Sequence, residues 1–565
     1  MNIDIEKIFS KAHQLQREGQ LSQAVSKYEQ VISLSPNHIE ALRLLGLTFA
    51  ELKDMPNAIV YLSKALHIDP NDASLHNNLA TAYKKSHDLG KAIYHYNEAL
   101  HLNPNYAQAH NNLGSIYAAL GNFKQSLHHY RLAVHEAPDF TTAHYNLGLL
   151  LLRNNHLDAA IKQFNNVLAL TPSHLDAQFY LGVLLLETNS VEKAECAFNA
   201  VLDVNSEHVE ALVNLGVIAI KRSQGQIAID YFTKALGFDN NNIDARNNLA
   251  ATFIHHDRFE NALMHYDVLL QKEPHNIEYL YNAGVAQMAL GHLQEAIDHF
   301  ETILSLQNNH FATLNNLAAV YIRLEQRDKA IELLERAKTA NPTDEATQFM
   351  LHAFTGMKKN RAACPTYVSN LFNNYALYYD QHLQGPLNYT VPQQIGRLLH
   401  RIHCNTVKNA IDLGCGTGLC GAVLRELSEH LTGVDIAAKM LAEAKNKGIY
   451  DELIEVELIA FLQKNTNRYE LAIAADVLPY LGDLDDLFAA IQNRLTHQGL
   501  FIFTHEISEN EQWQLQDSAR FSHHPEYIKH LCAKHGLTLI EHEKIVARQQ
   551  NQHALEAMLY AVKLT

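Results

Sequence analysis

The sequence predicts two folds in one chain: an all-α array of ten helical hairpins with a closing cap helix, then an α/β domain. Two observations carry that prediction. Small residues recur every 34 positions through about the first 350 residues. The period then stops, and an apolar stretch, Asn409-Ala410-Ile411, runs into the glycine loop Asp412-Leu413-Gly414-Cys415-Gly416-Thr417-Gly418. A second apolar stretch, Leu431-Thr432-Gly433-Val434, ends on Asp435. Strand, glycine loop, helix, and a second strand closing on a carboxylate describe a site where a ligand lies against backbone and a ribose meets an acid.

The repeat is read by stepping from Ala24 to Ala58, Ala92, Ser126, Ala160, Ala194, Ala228, Ala262, Ala296 and Ala330. Four residues after each stands a bulky side chain: Tyr28, Leu62, Tyr96, Tyr130, Phe164, Phe198, Phe232, Tyr266, Phe300 and Leu334. Twelve residues before each stands Gly or Ala, from Ala12 and Gly46 to Gly284 and Ala318. Small residues on facing helices permit close packing, the bulky residue fills the groove beside them, and prolines such as Pro70, Pro104 and Pro138 stop the second helix. This pattern resembles the tetratricopeptide repeat, in ten units without insertion from residue 5 to 344. A half unit, Asp344 to Phe354, reads as the cap that such arrays need. The resemblance implies a right-handed superhelix whose first helices line a concave wall.

Two residues before the small Gly/Ala, seven of the ten units carry asparagine: Asn78, Asn112, Asn146, Asn214, Asn248, Asn282 and Asn316. Asn77, Asn111, Asn247 and Asn315 double it. Asparagine is a poor helix former and the packing code does not ask for it. The position resembles the asparagine ladder of the O-linked N-acetylglucosamine transferase repeats, which implies a groove where amides grip a peptide backbone. The other reading is a chain simply rich in Asn. The residues three further on (Thr81, Ser115, Leu149, Val217, Ala251) are uncharged and offer no clamp for a terminal carboxylate. His76, His110 and His144 recur at the repeat period and read as structural.

Composition excludes several function classes. The chain has 565 residues, is 47% hydrophobic and 19% charged, and has a net charge of −16, which argues against nucleic acid or an anionic membrane as partner. From Arg361 onward, 17 Lys+Arg face 23 Asp+Glu, a net of −6, so no basic patch is hidden there. Six unevenly spaced cysteines form no disulfide framework, and Cys415 and Cys420 lack further ligands at zinc spacing, so no metal is expected. No apolar run is long enough to span a bilayer and no secretory leader is read, which makes a reducing cytoplasm the expected location.

The divisions read from sequence are an array over 5–356, a basic polar linker over 357–365 and an α/β domain over 366–565. The last contains strands at Ala410–Leu413, Leu431–Asp435, Ile454–Leu458, Glu470–Ala475 and Gly499–Thr504. Helices are expected at Cys420–Glu429, Ala437–Lys447, Leu484–Arg494 and Pro525–His535, with two final strands, Leu537–Val546 and Ala554–Val562. Upstream lie the aromatics Phe372, Tyr375, Tyr378 and Tyr379.

Tyr379-Asp380-Gln381-His382-Leu383, the Asp412–Gly418 loop, Ala475-Asp476-Val477 with Tyr480-Leu481-Gly482-Asp483, and Arg520-Phe521-Ser522-His523 before Tyr527 together resemble a bacterial family of methyltransferases fused behind tetratricopeptide repeats. The resemblance implies the class I S-adenosylmethionine fold, a Rossmann-like seven-stranded sheet whose last strand is antiparallel. It implies that Gly414, Cys415, Gly416 and Gly418 let the cofactor's methionine part approach, and that Asp412 holds the loop and its amino group. Asp435 would accept from the ribose, Ile436 and Met440 would pack on the adenine, and Glu457 and Leu458 would sit at its edge. Asp476 falls on the rim where open α/β sheets bind ligands. The Tyr375–Tyr379 aromatics either close over the cofactor or pack a helix on the sheet. A nicotinamide-binding domain is the rival, since Gly416-Thr417-Gly418-Leu419-Cys420-Gly421 also satisfies its glycine spacing.

Methyl transfer from a sulfonium needs alignment more than acid or metal. Candidate bases for the acceptor are Tyr480, His505, Glu506 and His523, none within a diagnostic motif. The function expected is a methyltransferase whose repeats recruit a protein or peptide. The alternatives are a repeat scaffold with a silent domain, and a small-molecule methyltransferase that uses its repeats for assembly. The acceptor and the oligomeric state are left open.

Overall fold

The computed structural model describes residues 2–356, 361–385, 387–509, 512–550 and 553–565. The Tyr378 side chain and residues 357–360 of the expected linker lie outside the described residues. The chain separates into two compact units, Met1–Thr252 and Phe253–Thr565, and each is described by itself. Among the described residues no helix is long and apolar enough to cross a membrane.

The first unit is a run of helical hairpins, from Asn2–Arg17 paired with Leu21–Leu34 to Val209–Lys221 paired with Gly225–Phe238. The small residues at the repeat period sit at the helix contact, with Ala24, Ala58, Ala92, Ala160, Ala194 and Ala228 fully buried. Their glycine partners are held small by the aromatic beside them. A Cβ on Gly216 would lie 2.4 Å from Phe232 Cε1, and one on Gly182 would lie 2.8 Å from Phe198 Cε1.

The turn inside each hairpin was not legible from composition. Positions 19, 53, 87, 121, 155, 189 and 223 all have left-handed backbone, yet only Gly19 and Gly121 are glycine. Lys53, His87, Asn155, Asn189 and Ser223 adopt φ of 58–64° there. The pairing of the helices imposes the conformation, so residue type is only weakly constrained.

Histidines act as local ties. His38, His174 and His208 cap helices by accepting a backbone N–H. His76 and His110 hold the Pro70 and Pro104 carbonyls within 3.2 and 3.0 Å, and their Nδ1 atoms lie 3.1 Å from those of His95 and His129. His144 repeats the device with Pro138 and Gln163.

In the second unit, hairpins continue through Phe311–Arg323 and Arg327–Ala340 to the cap helix Glu345–Thr355. The α/β domain then opens with two helices, Pro365–Gln384 and Val391–Arg401. Its strands are β1 (Val407–Leu413), β2 (Ser428–Asp435), β3 (Glu452–Glu455), β4 (Tyr469–Ala474), β5 (Leu495–Ile507), β6 (Trp513–Leu515), β7 (Phe521–His523), β8 (Leu537–Gln550) and β9 (His553–Leu564).

The order β3-β2-β1-β4-β5 is parallel throughout. β9 then adds antiparallel to β5, and β8 antiparallel to β9. These seven strands are the ones expected. Among the described residues the sheet has nine, because β7 extends β5 at Glu506 and Ile507 and carries β6 with it. Three-residue strands are too short to announce themselves by alternation. The expected strand Ile454–Leu458 ends early: Glu457 caps a further helix, Leu458–Lys464.

Apolar layers cover both faces, with Phe488, Phe501 and Tyr560 in one and Ile395, Leu398 and Ile502 in the other. The strand order reverses between β1 and β4, which opens a crevice at their carboxyl ends.

The packing code is tested by two glycines. Gly216→Ala should destabilise by about 1–3 kcal/mol, since overpacking outweighs the gain in helix propensity. Gly237→Ala, also helical but with nothing within 4 Å of its added Cβ, should be neutral or gain up to about 1 kcal/mol in chemical denaturation. Equal behaviour of the two variants would remove the aromatic contact as the reason for glycine.

Candidate functional site

A cavity of about 370 Å³ lies at the carboxyl ends of β1, β2 and β4. Gly414, Gly416, Asp435, Ile436, Glu457, Leu458, Asp476 and Tyr480 line it, so most of the residues expected at a cofactor site converge there. Phe372 and Tyr379 of the Pro365–Gln384 helix form its roof.

The loop is held from below and from one side. Asp435 Oδ2 accepts from Gly416 N at 2.8 Å and Oδ1 from Ala437 N at 2.9 Å, so one carboxylate ties the loop to the entry of the Ala438–Lys447 helix. Burial pushes its pKa up, opposed by those backbone donors. Gly414, Gly416 and Gly418 all have positive φ, but they serve different ends. Only Gly416 faces open space, where an added Cβ would meet a single atom, Tyr379 Cε1 at 4.0 Å. A Cβ on Gly414 would strike Val477 Cγ2 at 2.4 Å, and one on Gly418 would strike Tyr450 Cε2 at 2.9 Å.

Tyr450 therefore explains Gly418 and Gly421 by packing. It also donates to Asp412 Oδ2 at 2.7 Å beneath the loop. Asp412 is buried, and that burial raises its pKa to about 7 against the pull of the Tyr450 hydroxyl. It supports the loop from underneath and does not line the main cavity. Cys415 is also buried, its thiol pKa pushed well up by burial and by Asp412 and Asp435.

The helical roof is fastened at four points. Asp380 bonds Thr417 Oγ1 and pairs with Lys447. Ser369 Oγ donates to Ile436 O at 3.2 Å, and Lys439 N donates to Asn373 Oδ1 at 2.9 Å. The roof helix thus lines the cavity and packs its aromatics on the domain.

Other expectations need correction. Met440 is buried against Ala376, Phe372 and Tyr379 and does not reach the cavity. The Glu457 carboxylate accepts from Ile459 N and Ala460 N, so it is spent on a helix cap while its residue lines the wall.

Among the base candidates only Tyr480 lines the cavity. His505 and His523 are 1% and 0% exposed and outside the lining. Burial lowers their pKa values to about 4 and about 3, and His523 Nε2 is committed to the Leu481 and Gly482 carbonyls. Glu506 bonds Arg520 Nε at 2.6 Å. Arg520 also donates to Tyr480 Oη at 2.8 Å and to Asp476 Oδ1 at 2.5 Å, and Arg548 donates to Asp476 Oδ2 at 3.0 Å. The pairing of these two acids with two arginines was missed in sequence. Asp476 follows β4, Glu506 lies in β5, Arg520 precedes β7 and Arg548 lies in β8. Asp476 and Arg520 stood inside motifs and Glu506 among the candidate bases, but Arg548 was not singled out.

The ladder asparagines are half-buried. Asn112 and Asn146 donate to Asn77 and Asn111 of the preceding unit at 3.5 and 3.0 Å, Asn282 to Tyr266 Oη at 3.0 Å and Asn316 to Tyr281 Oη at 3.1 Å. Four of the seven amide donors thus stitch neighbouring units, and Asn214 donates to Glu210 O of its own helix at 2.8 Å, in place of the purely groove-facing role expected. Among the described residues nothing donates to the Oδ1 atoms of Asn112 and Asn146. A cavity of about 340 Å³ beside Asn146 is lined by Ser115, Phe123, Leu149 and Arg153.

Comparison with known proteins places these two parts. A methyltransferase-domain family model matches residues 411–501. Tetratricopeptide-repeat models match residues 9–73, 61–94, 87–121 and 287–353. The chain joins tetratricopeptide repeats to a methyltransferase domain.

The methyltransferase domain is similar to a biotin biosynthesis bifunctional protein of Saccharophagus degradans, 25% identical over 155 residues, covering 26% of this chain and 25% of that one. It is similar to a "putative methyltransferase" of Geobacillus sp. (strain WCH70), 27% identical over 186 residues, 30% of this chain and 73% of that one. A malonyl-[acyl-carrier protein] O-methyltransferase of Enterobacter lignolyticus is 23% identical over 137 residues, 24% of this chain and 52% of that one. The chain thus spans about a quarter of the first of these relatives. The tetratricopeptide repeats are similar to the solved structure of YrrB, described as a TPR protein with an unusual peptide-binding site, at 22% identity and TM-score 0.31, covering 33% of this chain and 95% of that one.

Asp412 permits a test by pH. Its folded pKa lies above the ordinary 3.8, so its contribution to stability is complete below 3.8 and is lost as pH rises through about 7. The stability of Asp412→Asn relative to the parent should therefore rise between pH 4 and pH 8, by a few kcal/mol at order of magnitude. Denaturation of both proteins across that range measures it. A difference independent of pH would mean that Asp412 is ionised throughout.

Proposed function

We propose that the C-terminal domain is an S-adenosylmethionine-dependent class I methyltransferase and that the repeats recruit a protein or extended peptide. The observation carrying the first part is the cradle at Gly416, which opens into a cavity bounded by Asp435 and Ile436 at the end of β2. Gly414 and Gly416 would hold the methionine part, Asp435 the ribose, and Ile436, Leu458 and Glu457 the adenine. Cys415, Gly418, Asp412 and Met440 would act from behind, by shaping the loop. Among the described residues the lining carries three carboxylates and no Lys, Arg or His, which suits a ligand with a sulfonium and an ammonium. The cofactor, when bound, supplies a methyl group on a good leaving sulfur, so the chain's task is alignment and exclusion of water.

Tyr480, its oxygen accepting from Arg520, keeps its hydroxyl proton for an acceptor atom. Asp476, held by both arginines, fixes the rim. We further propose the division 5–356, 357–365 and 366–565, with Arg361–Cys364 counted as wall of the cavity. A soluble cytoplasmic setting is the simplest one for this cofactor chemistry.

Calorimetry with S-adenosylmethionine tests the cofactor reading. The parent should bind at micromolar concentration. Gly416→Val should abolish binding, and Asp435→Ala should weaken it by a few kcal/mol, on the order of a buried charge-assisted hydrogen bond. Parent-like binding by both variants would displace the site, and no binding by the parent would sink it.

For the repeats, the carbonyl oxygens of the rungs are suited to peptide N–H donors. Changing Asn78, Asn112, Asn146 and Asn214 together to alanine should weaken a groove peptide by orders of magnitude. It should cost about 1–3 kcal/mol of stability, because two inter-unit bonds are lost. Calorimetry and melting of the same variant separate the two effects; unfolding at room temperature would make the asparagines structural alone.

A further inference from the structure

The cavity has two unlike halves. Near Gly416, Asp435 and Glu457 it is rimmed by backbone and carboxylates. The other half is walled by residues expected to be linker. Ala362 forms a β-bridge with Leu481, and Ala363 N donates to Tyr480 O at 2.9 Å. Gly482 N and Asp483 N both donate to Arg361 O at 2.8 Å. Arg361–Cys364 is therefore a strap bonded along the loop after β4. It is backed by the cap helix, since Ala363 and Cys364 share an apolar cluster with Phe349 and Phe521. Ala362, Ala363, Val368 and Leu481 face the cavity, Tyr480 adds a hydroxyl from the loop after β4, and Tyr379 in the roof carries the other.

Charge decides what such a half can accept. Arg520 and Arg548 stand outside the lining and are matched by Asp476 and Glu506, with side chains only 11–17% exposed, while the side chain of Arg361 at the start of the strap is 83% exposed and 4.0 Å from Asp483. Among the described residues no Lys, Arg or His lines the cavity to meet an anion, and Asp435 and Glu457 add negative potential across it. Small alanines leave room for bulk, and the Tyr480 hydroxyl offers one hydrogen bond.

The geometry points to an acceptor chamber for an uncharged group with an apolar body, of the phenol or indole type, and against a carboxylate acceptor. This inference rests on the cofactor reading above. Strap alanines set the size of the acceptor and Tyr480 sets its polar end.

Full-length protein with ¹³C-methyl alanine, loaded with S-adenosylhomocysteine, tests it by NMR titration with phenol and with benzoate. These probes are alike in size and differ in charge. Phenol should shift the Ala362 and Ala363 methyls, with an affinity at least tenfold above that of benzoate. Ala363→Leu should reduce phenol affinity tenfold while calorimetry shows S-adenosylhomocysteine binding within twofold of the parent. Benzoate binding as tightly as phenol, or phenol leaving both strap methyls unmoved on the loaded protein, overturns the chamber alone. Failure of the parent to bind S-adenosylhomocysteine overturns the cofactor reading and this inference with it. Should Ala363→Leu not fold, the two titrations of the parent still decide.

Discussion

The catalytic end depends on one carboxylate used twice. Asp435 closes β2 and accepts from the backbone at Gly416 and at Ala437, so the glycine loop and the following helix share one anchor. Without it, the loop would lose a charge-assisted backbone hydrogen bond, worth about 1.5–3 kcal/mol. The roof helix then fastens to what Asp435 has arranged, through Ser369 on Ile436 and Asn373 on Lys439. A ligand meeting this acid meets a group already ordered by the fold, which limits the entropy lost on binding.

The array and the order of the α/β elements were legible because they rest on spacing. Thirty-four-residue recurrence survives substitution, and strands of four or more residues announce themselves by apolar content. What was missed depends on tertiary partners. Arg520 and Arg548 become informative only when β7 and β8 bring them to Asp476. His505 and His523 look like bases in sequence, and only the fold shows that both are sealed. Gly418 was assigned to a ligand, yet Tyr450, 32 residues later, is its reason for being glycine.

The linker is the most instructive difference. Polar, proline-bearing sequence between two folds reads as a spacer, and nothing in Arg361-Ala362-Ala363-Cys364 suggests a wall. It becomes one through backbone bonds to Tyr480, Gly482 and Asp483, which any residue could make. The expected packing on either side has the same cause. Phe349 belongs to the cap helix, and its contact with Tyr367 and Phe521 makes the end of the array part of the domain that follows.

Cys415 sits in the middle of the loop with its sulfur buried and its thiolate disfavoured. A thiol in that condition reacts slowly with alkylating agents and oxidants, whatever their concentration in bulk water. A buried sulfur reacts only when local opening exposes it, so its reactivity reports how often the loop's bonds break. The chain thus carries a native clock for the opening of that loop, one that needs no added label and runs on the same backbone that a ligand would have to touch.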